Sequence, residues 1–262
     1  MGSMERIRRV AVLGAGAMGG FLASRFCDAT DFTTELIATG RYYERLTRYG
    51  LVVNGKEYRP AVVHPDDPGP AADFIIVALK HHQLEDAIRG LKDRVGSGTT
   101  IISVMNGLES EQIIGSVCGM DRMLYTISVG IDAVREGNRI TYTKPGILYF
   151  GELRNPEPNQ KVLRVREAFS RAQVPCEVPE DMERMLWWKL MINAGINQAS
   201  AVLRAGNETR GRHAGESHGP ADYQGNGAVT RQKTGACYMT RRAANALKHS
   251  KRGGRWDERR RG

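Results

Sequence analysis

An α/β fold, built on a mostly parallel sheet, is predicted by three features of the sequence. Strand-like and helix-like stretches alternate through the N-terminal half, a glycine-rich turn joins the first strand to the first helix, and Phe74–Leu79 is apolar without interruption. Alternation argues for a parallel sheet covered by helices. An uninterrupted apolar run suits a strand buried on both faces.

Taken in order, Arg8–Leu13 is a short apolar strand and Met18–Phe26 has helical spacing. Glu35–Ala38 is a second strand and Tyr42–Tyr49 a second helix. Leu51–Val53 and Tyr58–Val63 flank Asn54-Gly55, the dipeptide favoured in a tight hairpin. Phe74–Leu79, the helix Gln83–Leu91, the strand Thr100–Met105 and the helix Glu111–Val117 continue the alternation. Met123–Val129, Arg139–Tyr142 and Ile147–Phe150 read as strands joined by short turns, antiparallel additions to the sheet, and Lys161–Ala172 as a helix. Pro175 and Pro179 bracket a short extended piece, and the domain boundary is placed there. Asp181–Val202 is a long, mostly apolar helical stretch rich in Met and Trp.

The chain has 262 residues and a formal charge of +9, which invites a nucleic-acid reading. The charge is concentrated. Residues 207–262 hold 13 Lys and Arg against 5 Asp and Glu, whereas the rest is nearly balanced at 25 against 24. Aromatic residues Tyr223, Tyr238 and Trp256 are scattered there without a recognition motif, so no nucleic-acid partner is expected. The same segment has only Val229 and Leu247 from the Leu/Ile/Val/Phe set, too little apolar surface to offset ordering entropy. It is either a disordered basic tail or the product of a reading frame lost near Gly206. No apolar run approaches the roughly 20 residues of a membrane span, and the start lacks a signal-peptide core. Cys27, Cys118, Cys176 and Cys237 are far apart with no C-x-x-C, so neither a disulfide framework nor a metal site is suggested. A cytoplasmic location is the expectation.

Gly14-Ala15-Gly16-Ala17-Met18-Gly19 follows the first strand directly and opens the first helix, the context that a G-x-G-x-x-G dinucleotide fingerprint requires. The first glycine permits a tight turn, the second lets a pyrophosphate approach the backbone, and the third lets helix and sheet pack closely. Free N–H groups at the helix start then face the anion. The alternative is a purely structural turn. An NAD site usually carries Asp or Glu at the end of the second strand to hold the ribose 2′-OH. Here that strand ends Ala38-Thr39-Gly40-Arg41. Arg41 can pair with a 2′-phosphate and Thr39 can donate to it, which favours NADP (NADPH) over NAD. The alternative is that Arg41 is simply a solvated arginine at a helix start.

Lys189, Asn193 and Asn197 interrupt an otherwise apolar helix at i, i+4 and i+8, within an arc of about 80° at α-helical spacing. Such a stripe either lines a cleft or is satisfied internally. A lysine held there can have a lowered pKa and donate a proton; a snorkelling lysine beside two capping asparagines is the other reading. Lys80 closes Phe74–Leu79, and Asn106-Gly107 closes Thr100–Met105, at the strand ends where open α/β sheets bind ligands.

On four ordered motifs the chain resembles the ketopantoate reductase (2-dehydropantoate 2-reductase) family: Val10–Gly20 (VAVLGAGAMGG), Ile75–Gln83 (IIVALKHHQ), Ile101–Leu108 (IISVMNGL) and Trp188–Asn197 (WKLMINAGIN). The likeness covers about residues 7–207. It implies a Rossmann-type domain followed by an all-helical domain, and NADPH-dependent reduction of 2-dehydropantoate on the route to pantothenate and coenzyme A. It further implies that Lys189 is the general acid, that Asn193, Asn197 and Asn207 bind substrate, and that Asn106 touches nicotinamide and substrate. Lys80 and, more loosely, Ala133 match cofactor-contact positions.

Two departures accompany the resemblance. Thr39 stands where many relatives carry the phosphate-reading arginine, which leaves Arg41 as a displaced candidate. Asn207 is followed by Glu208-Thr209-Arg210 in place of the family's Gly-Glu-Leu, and neither the family's carboxylate-binding serine nor its late glutamate is matched beyond it. The resemblance stops where the composition changes, which favours the lost frame. The expected organisation is an N-terminal extension (1–6), an NADP-binding Rossmann domain (7–179), the start of a helical substrate domain (180–206) and a basic tail (207–262). Without covering helices, apolar side chains around Leu186, Met191 and Ile196 are expected to be exposed, which leaves room for a homo-oligomer. The expected partner is a small 2-oxo acid, and related branched 2-oxo acids satisfy the same motifs. The rival is a dinucleotide-binding module with little or no catalysis.

Overall fold

In a computed structural model, residues 6–67 and 69–197 are described. Strands β1 (Arg9–Leu13), β2 (Thr33–Ile37), β3 (Leu51–Val53), β4 (Lys56–Tyr58), β5 (Ala61–Val63), β6 (Ala72–Val77), β7 (Val95–Ser103) and β8 (Met123–Ile131) come first in the chain. β9 (Val134–Glu136), β10 (Arg139–Thr141), β11 (Pro145–Gly151) and β12 (Cys176–Glu177) follow. The helices are α1 (Ala17–Asp28), α2 (Gly40–Tyr49), α3 (Leu84–Arg89), α4 (Ser110–Cys118), α5 (Gln160–Arg171) and α6 (Met182–Ile192).

Eight strands form the main sheet in the order β12-β11-β8-β7-β6-β1-β2-β5. The six from β5 to β8 run parallel, and β11 joins antiparallel to β8. Strand order reverses beside β1, the topological switch point at which such sheets take ligands. Alternation along each strand divides the core. Val10, Val12, Phe74 and Ile76 face one side with Phe21, Leu22 and Phe26 of α1 and Val165 and Phe169 of α5. Ala11, Leu13, Ile75 and Val77 face the other with Leu84 and Ile88 of α3 and Ile114 of α4. Phe169 packs edge-on against Phe74 and Phe150, with ring centroids 5.6 and 5.3 Å away. Each such pair contributes about 0.5–1.5 kcal/mol beyond area burial.

Three expectations are corrected. The second arm of the predicted hairpin splits at Arg59-Pro60: Lys56–Tyr58 pairs back on β3 across Asn54-Gly55, and Ala61–Val63 leaves to join β2 in parallel. Proline lacks the N–H that a continued ladder needs. Arg139–Thr141 does not extend the main sheet. It pairs with β3 and with β9, a strand missed in the sequence, in a second sheet of order β4-β3-β10-β9. Ile140 there joins Leu51 and Val53 in the α1 face of the core, and Tyr142 packs edge-on against Phe21. The helix expected over Asp181–Val202 is α-helical only to Ile192 and continues as a π-helical turn over Asn193–Asn197. Readings that fall on residues 1–5 and 198–262, Asn207 and the basic tail among them, lie outside the described residues. Among the described residues no helix is long and apolar enough to cross a membrane, and no group of three or more His, Cys, Asp or Glu side chains is placed to hold a metal ion.

Candidate functional site

The glycine turn sits at the switch point, between β1 and α1. Gly14 has a φ of +91°, and a Cβ there would run into Leu79 and the Ala78 carbonyl. A Cβ on Gly19 would overlap the carbonyl oxygen of Gly14. These two glycines are demanded by the protein itself. Gly16 is different: the nearest atom to a Cβ there, the Ala78 carbonyl oxygen, is 3.9 Å away. The space beside Gly16 is open, Gly16, Ala17 and Met18 are half-exposed, and the first turn of α1 has no acidic side chain. Backbone N–H groups at a helix start, facing an open cradle that a methyl would fill, fit a pyrophosphate.

Thr39 and Arg41 are exposed at the end of β2, with Thr39 preceding α2 and making no capping bond through its side chain. Lys80 is exposed beyond β6, where its N–H donates to Gln83 Oε1 at 3.2 Å. Ala133 is half-buried between β8 and β9. Asp132 beside it accepts from the backbone N–H groups of Thr143 and Lys144 and from the Thr143 hydroxyl, which holds its carboxyl down at about 2.

Asn106 from one motif and Lys189 and Asn193 from another line one narrow cleft of about 280 Å³ including its open mouth. Met105, Gly107, Ile127, Ser128, Leu186 and Leu190 complete its walls. Asn193 Nδ2 donates to Asn106 Oδ1 at 3.4 Å. The helix carrying Lys189 is held by its buried face: Met182 and Leu186 pack on Ile127, with Tyr149 and Trp188 beside them. Its start is fixed by the Asp181 cap on the Arg184 N–H and by Asn155. The Asn155 amide donates to the Glu152 and Pro179 carbonyl oxygens, and its N–H donates to the Glu180 carbonyl oxygen. Burial pushes the Lys189 ammonium below its ordinary value, because the charged form loses water. The α-helical spacing behind the predicted stripe holds from Lys189 to Asn193. From there the π turn, with its i→i+5 bonds, changes the register toward Asn197.

Leu186 was expected to be exposed and is buried, because it faces Ile127; the exposed apolar side chains of α6 are Trp187 and Met191, at 55% and 60%. Sequence reasoning also missed a polar network under the Asn106 turn. Ser103 Oγ donates to Ser110 Oγ at 2.8 Å, and Ser110 Oγ donates to Glu111 at 2.9 Å. The Glu111 carboxyl is almost wholly buried, and desolvation raises its pKa. No spacing marks such a network, since Ser103 ends a strand and Ser110 and Glu111 look like ordinary helix-start residues.

The fold and its glycine turn define a Rossmann-type, dinucleotide-binding class of α/β protein. The ketopantoate reductase PanE/ApbA family model matches residues 10–155, more than half of the chain, and the protein belongs to that family. The 2-dehydropantoate 2-reductase of Pyrococcus horikoshii is 29% identical over 201 residues, covering 76% of this chain and 65% of its own length. That of Archaeoglobus fulgidus is 26% identical, covering 77% and 66%. The chain thus spans about two thirds of the length of these curated relatives. Among solved structures, the 2-dehydropantoate 2-reductase of Geobacter metallireducens aligns with a TM-score of 0.64 at 25% identity, covering 75% of this chain and 66% of the other. A D-mandelate dehydrogenase with NADH and anilino(oxo)acetate shares the fold, with a TM-score of 0.67 at 19% identity over 75% of this chain and 64% of the other.

Proposed function

We propose that the protein is an NADPH-dependent 2-oxo acid reductase that converts 2-dehydropantoate to pantoate in the pantothenate and coenzyme A route. One observation carries the reading: Asn106, Lys189 and Asn193 line a single cleft. Its relatives' names support the same chemistry. In this reading the nicotinamide, when bound, supplies a hydride to the substrate C2. Gly14, Ala15, Gly16, Ala17, Met18 and Gly19 hold the pyrophosphate, with Thr39, Arg41, Lys80 and Ala133 as further cofactor contacts. Lys189 gives its proton to the developing alkoxide, and its lowered pKa makes that transfer easier. Asn106 and Asn193 orient the substrate and stabilise charge, with Asn197 and Asn207 as further substrate ligands. Domain boundaries near residue 179, a cytoplasmic location and a small 2-oxo acid as the partner belong to the same proposal.

A second reading is dinucleotide binding with little or no catalysis, which the open cradle beside Gly16 supports on its own. The test is NADPH oxidation with 2-dehydropantoate beside NADPH binding by calorimetry. Turnover near the ~10 s⁻¹ typical of enzymes supports the reductase. Binding without turnover supports the module, and absence of both overturns the two readings together.

A further inference from the structure

Two arginines near the glycine turn have no part in the site so far. Arg45 lies one turn after Arg41 on α2, and Arg135 comes from β9 in the small sheet. Their guanidinium carbons stand 4.8 and 4.6 Å from the centroid of one ring, that of Tyr42. Tyr42 is tied to the dinucleotide turn, because its hydroxyl donates to the carbonyl oxygen of Ala15. The cluster therefore lies between the glycine turn and the end of β2, the strand end at which such folds read the adenosine ribose.

Its charge is unanswered. Among the described residues, Arg94, Arg122, Arg154 and Arg171 each have a carboxylate partner within ion-pair distance, whereas Arg41, Arg45 and Arg135 have none. Arg45 Nε is buried without a hydrogen-bond partner. Arg135 uses its Nε on the Gly137 carbonyl oxygen at 2.8 Å, so its two terminal nitrogens remain for another acceptor. Desolvation pushes the Tyr42 phenol up, so the ring offers a π face and no anion. Like charges gathered on one neutral ring repel, and the group that would relieve the repulsion is an anion with several acceptor oxygens. A phosphate matches the guanidinium fork.

We propose that Arg45 and Arg135, stacked on Tyr42, form with Arg41 the anion site that holds the 2′-phosphate of an adenine dinucleotide. The proposal rests on the dinucleotide reading of the glycine turn. It makes cofactor choice depend on a residue from the small sheet, outside the β-α-β unit in which the sequence pattern looks for it.

The test is calorimetric titration of the full chain and of Arg45→Met and Arg135→Met, each of which keeps an apolar stem on Tyr42. The titrants are NADPH, NADH, 2′,5′-ADP and 5′-AMP. Each variant is expected to weaken NADPH and 2′,5′-ADP by about 10-fold or more while leaving NADH and 5′-AMP within about 2-fold. Arg135→Lys is expected to fall between wild type and Arg135→Met, because it keeps the charge and loses the fork. Equal losses for phosphorylated and unphosphorylated ligands, or no loss in either variant, overturn the phosphate site. A wild-type chain that binds NADH and NADPH equally overturns it too, while leaving the dinucleotide reading standing. A wild-type chain that binds neither dinucleotide overturns the dinucleotide reading itself.

Discussion

Asn193, at the end of α6, donates through Nδ2 to Asn106 Oδ1 across the mouth of the cleft, at 3.4 Å. The bond is long and Asn106 is exposed, so it contributes little to folding. Both amides therefore remain available to a ligand. Asn106→Ala and Asn193→Ala are expected to leave stability within about 0.5 kcal/mol of wild type and to raise KM for the 2-oxo acid. Thermal melts beside steady-state kinetics check both halves. A large loss of stability with KM unchanged would make the pair a structural clasp.

Lys189→Ala is expected to lower turnover by roughly 10²–10⁴ with NADPH affinity little changed. A proton donor must be protonated, and burial lowers the Lys189 pKa from its ordinary 10.5. Turnover is thus expected to fall as pH rises through that lowered value. A rate in the alanine variant equal to wild type removes Lys189 from the mechanism.

Gly16 and Gly19 separate ligand demand from fold demand. Gly19→Ala drives a methyl into the Gly14 carbonyl and is expected to lower the melting temperature. Gly16→Ala meets only the Ala78 carbonyl oxygen, 3.9 Å away, so it is expected to melt like wild type and bind NADPH at least about 10-fold more weakly. Unchanged NADPH affinity in Gly16→Ala would show that the cradle is not the pyrophosphate site.

Glu35 and Arg94 form an ion pair at 3.1 Å, with side chains 7% and 3% exposed. Arg94 also donates to the Asp67 carbonyl oxygen. Glu35→Gln leaves a buried guanidinium without its counter-charge and is expected to cost about 3–5 kcal/mol. Denaturant unfolding measures this. Replacing both residues with apolar ones is expected to cost less than the single change.

Glu111 supplies a pH signature. Its pKa in the folded protein is raised above the ordinary 4.5, chiefly by desolvation. The folded state therefore binds the proton more tightly than the unfolded state. The contribution of Glu111 to stability is fully present below pH 4.5 and is lost as pH rises through the folded value. Melting curves of wild type and Glu111→Gln are expected to diverge above that point, with the wild type falling further. Parallel curves would show that Glu111 titrates normally.

Much of this architecture is legible in the sequence because its signals are local. The unbroken apolar run from Phe74, with Phe74 and Ile76 on one face and Ile75 and Val77 on the other, announces a strand buried on both faces, and the glycine turn announces the strand-to-helix joint. Lys189 and Asn193 are visible because polar residues at i and i+4 stand out on an apolar helix. What stayed hidden depends on partners distant in the chain. Nothing around Arg139 distinguishes a strand of the main sheet from one that pairs with Val52. Nothing around Arg135 announces that it will stack on Tyr42. The Ser103–Ser110–Glu111 network was hidden for another reason: burial of a polar group leaves no periodic trace.

The pairing of Val52 and Val53 with Arg139 and Ile140 has a consequence in time. These strands run in parallel, and the chain lays down β6, β7 and β8 between them. Their loop-closure entropy must be spent before any contact rewards it, which makes such pairings slow. The small sheet is thus expected to close last, on a main sheet already assembled. Until then Leu51 and Val53 lack Ile140, and the Phe21 ring lacks Tyr142. During synthesis that interval lasts at least until the ribosome has delivered Tyr142, so the growing chain carries an unfinished apolar seam beside α1 for much of its assembly.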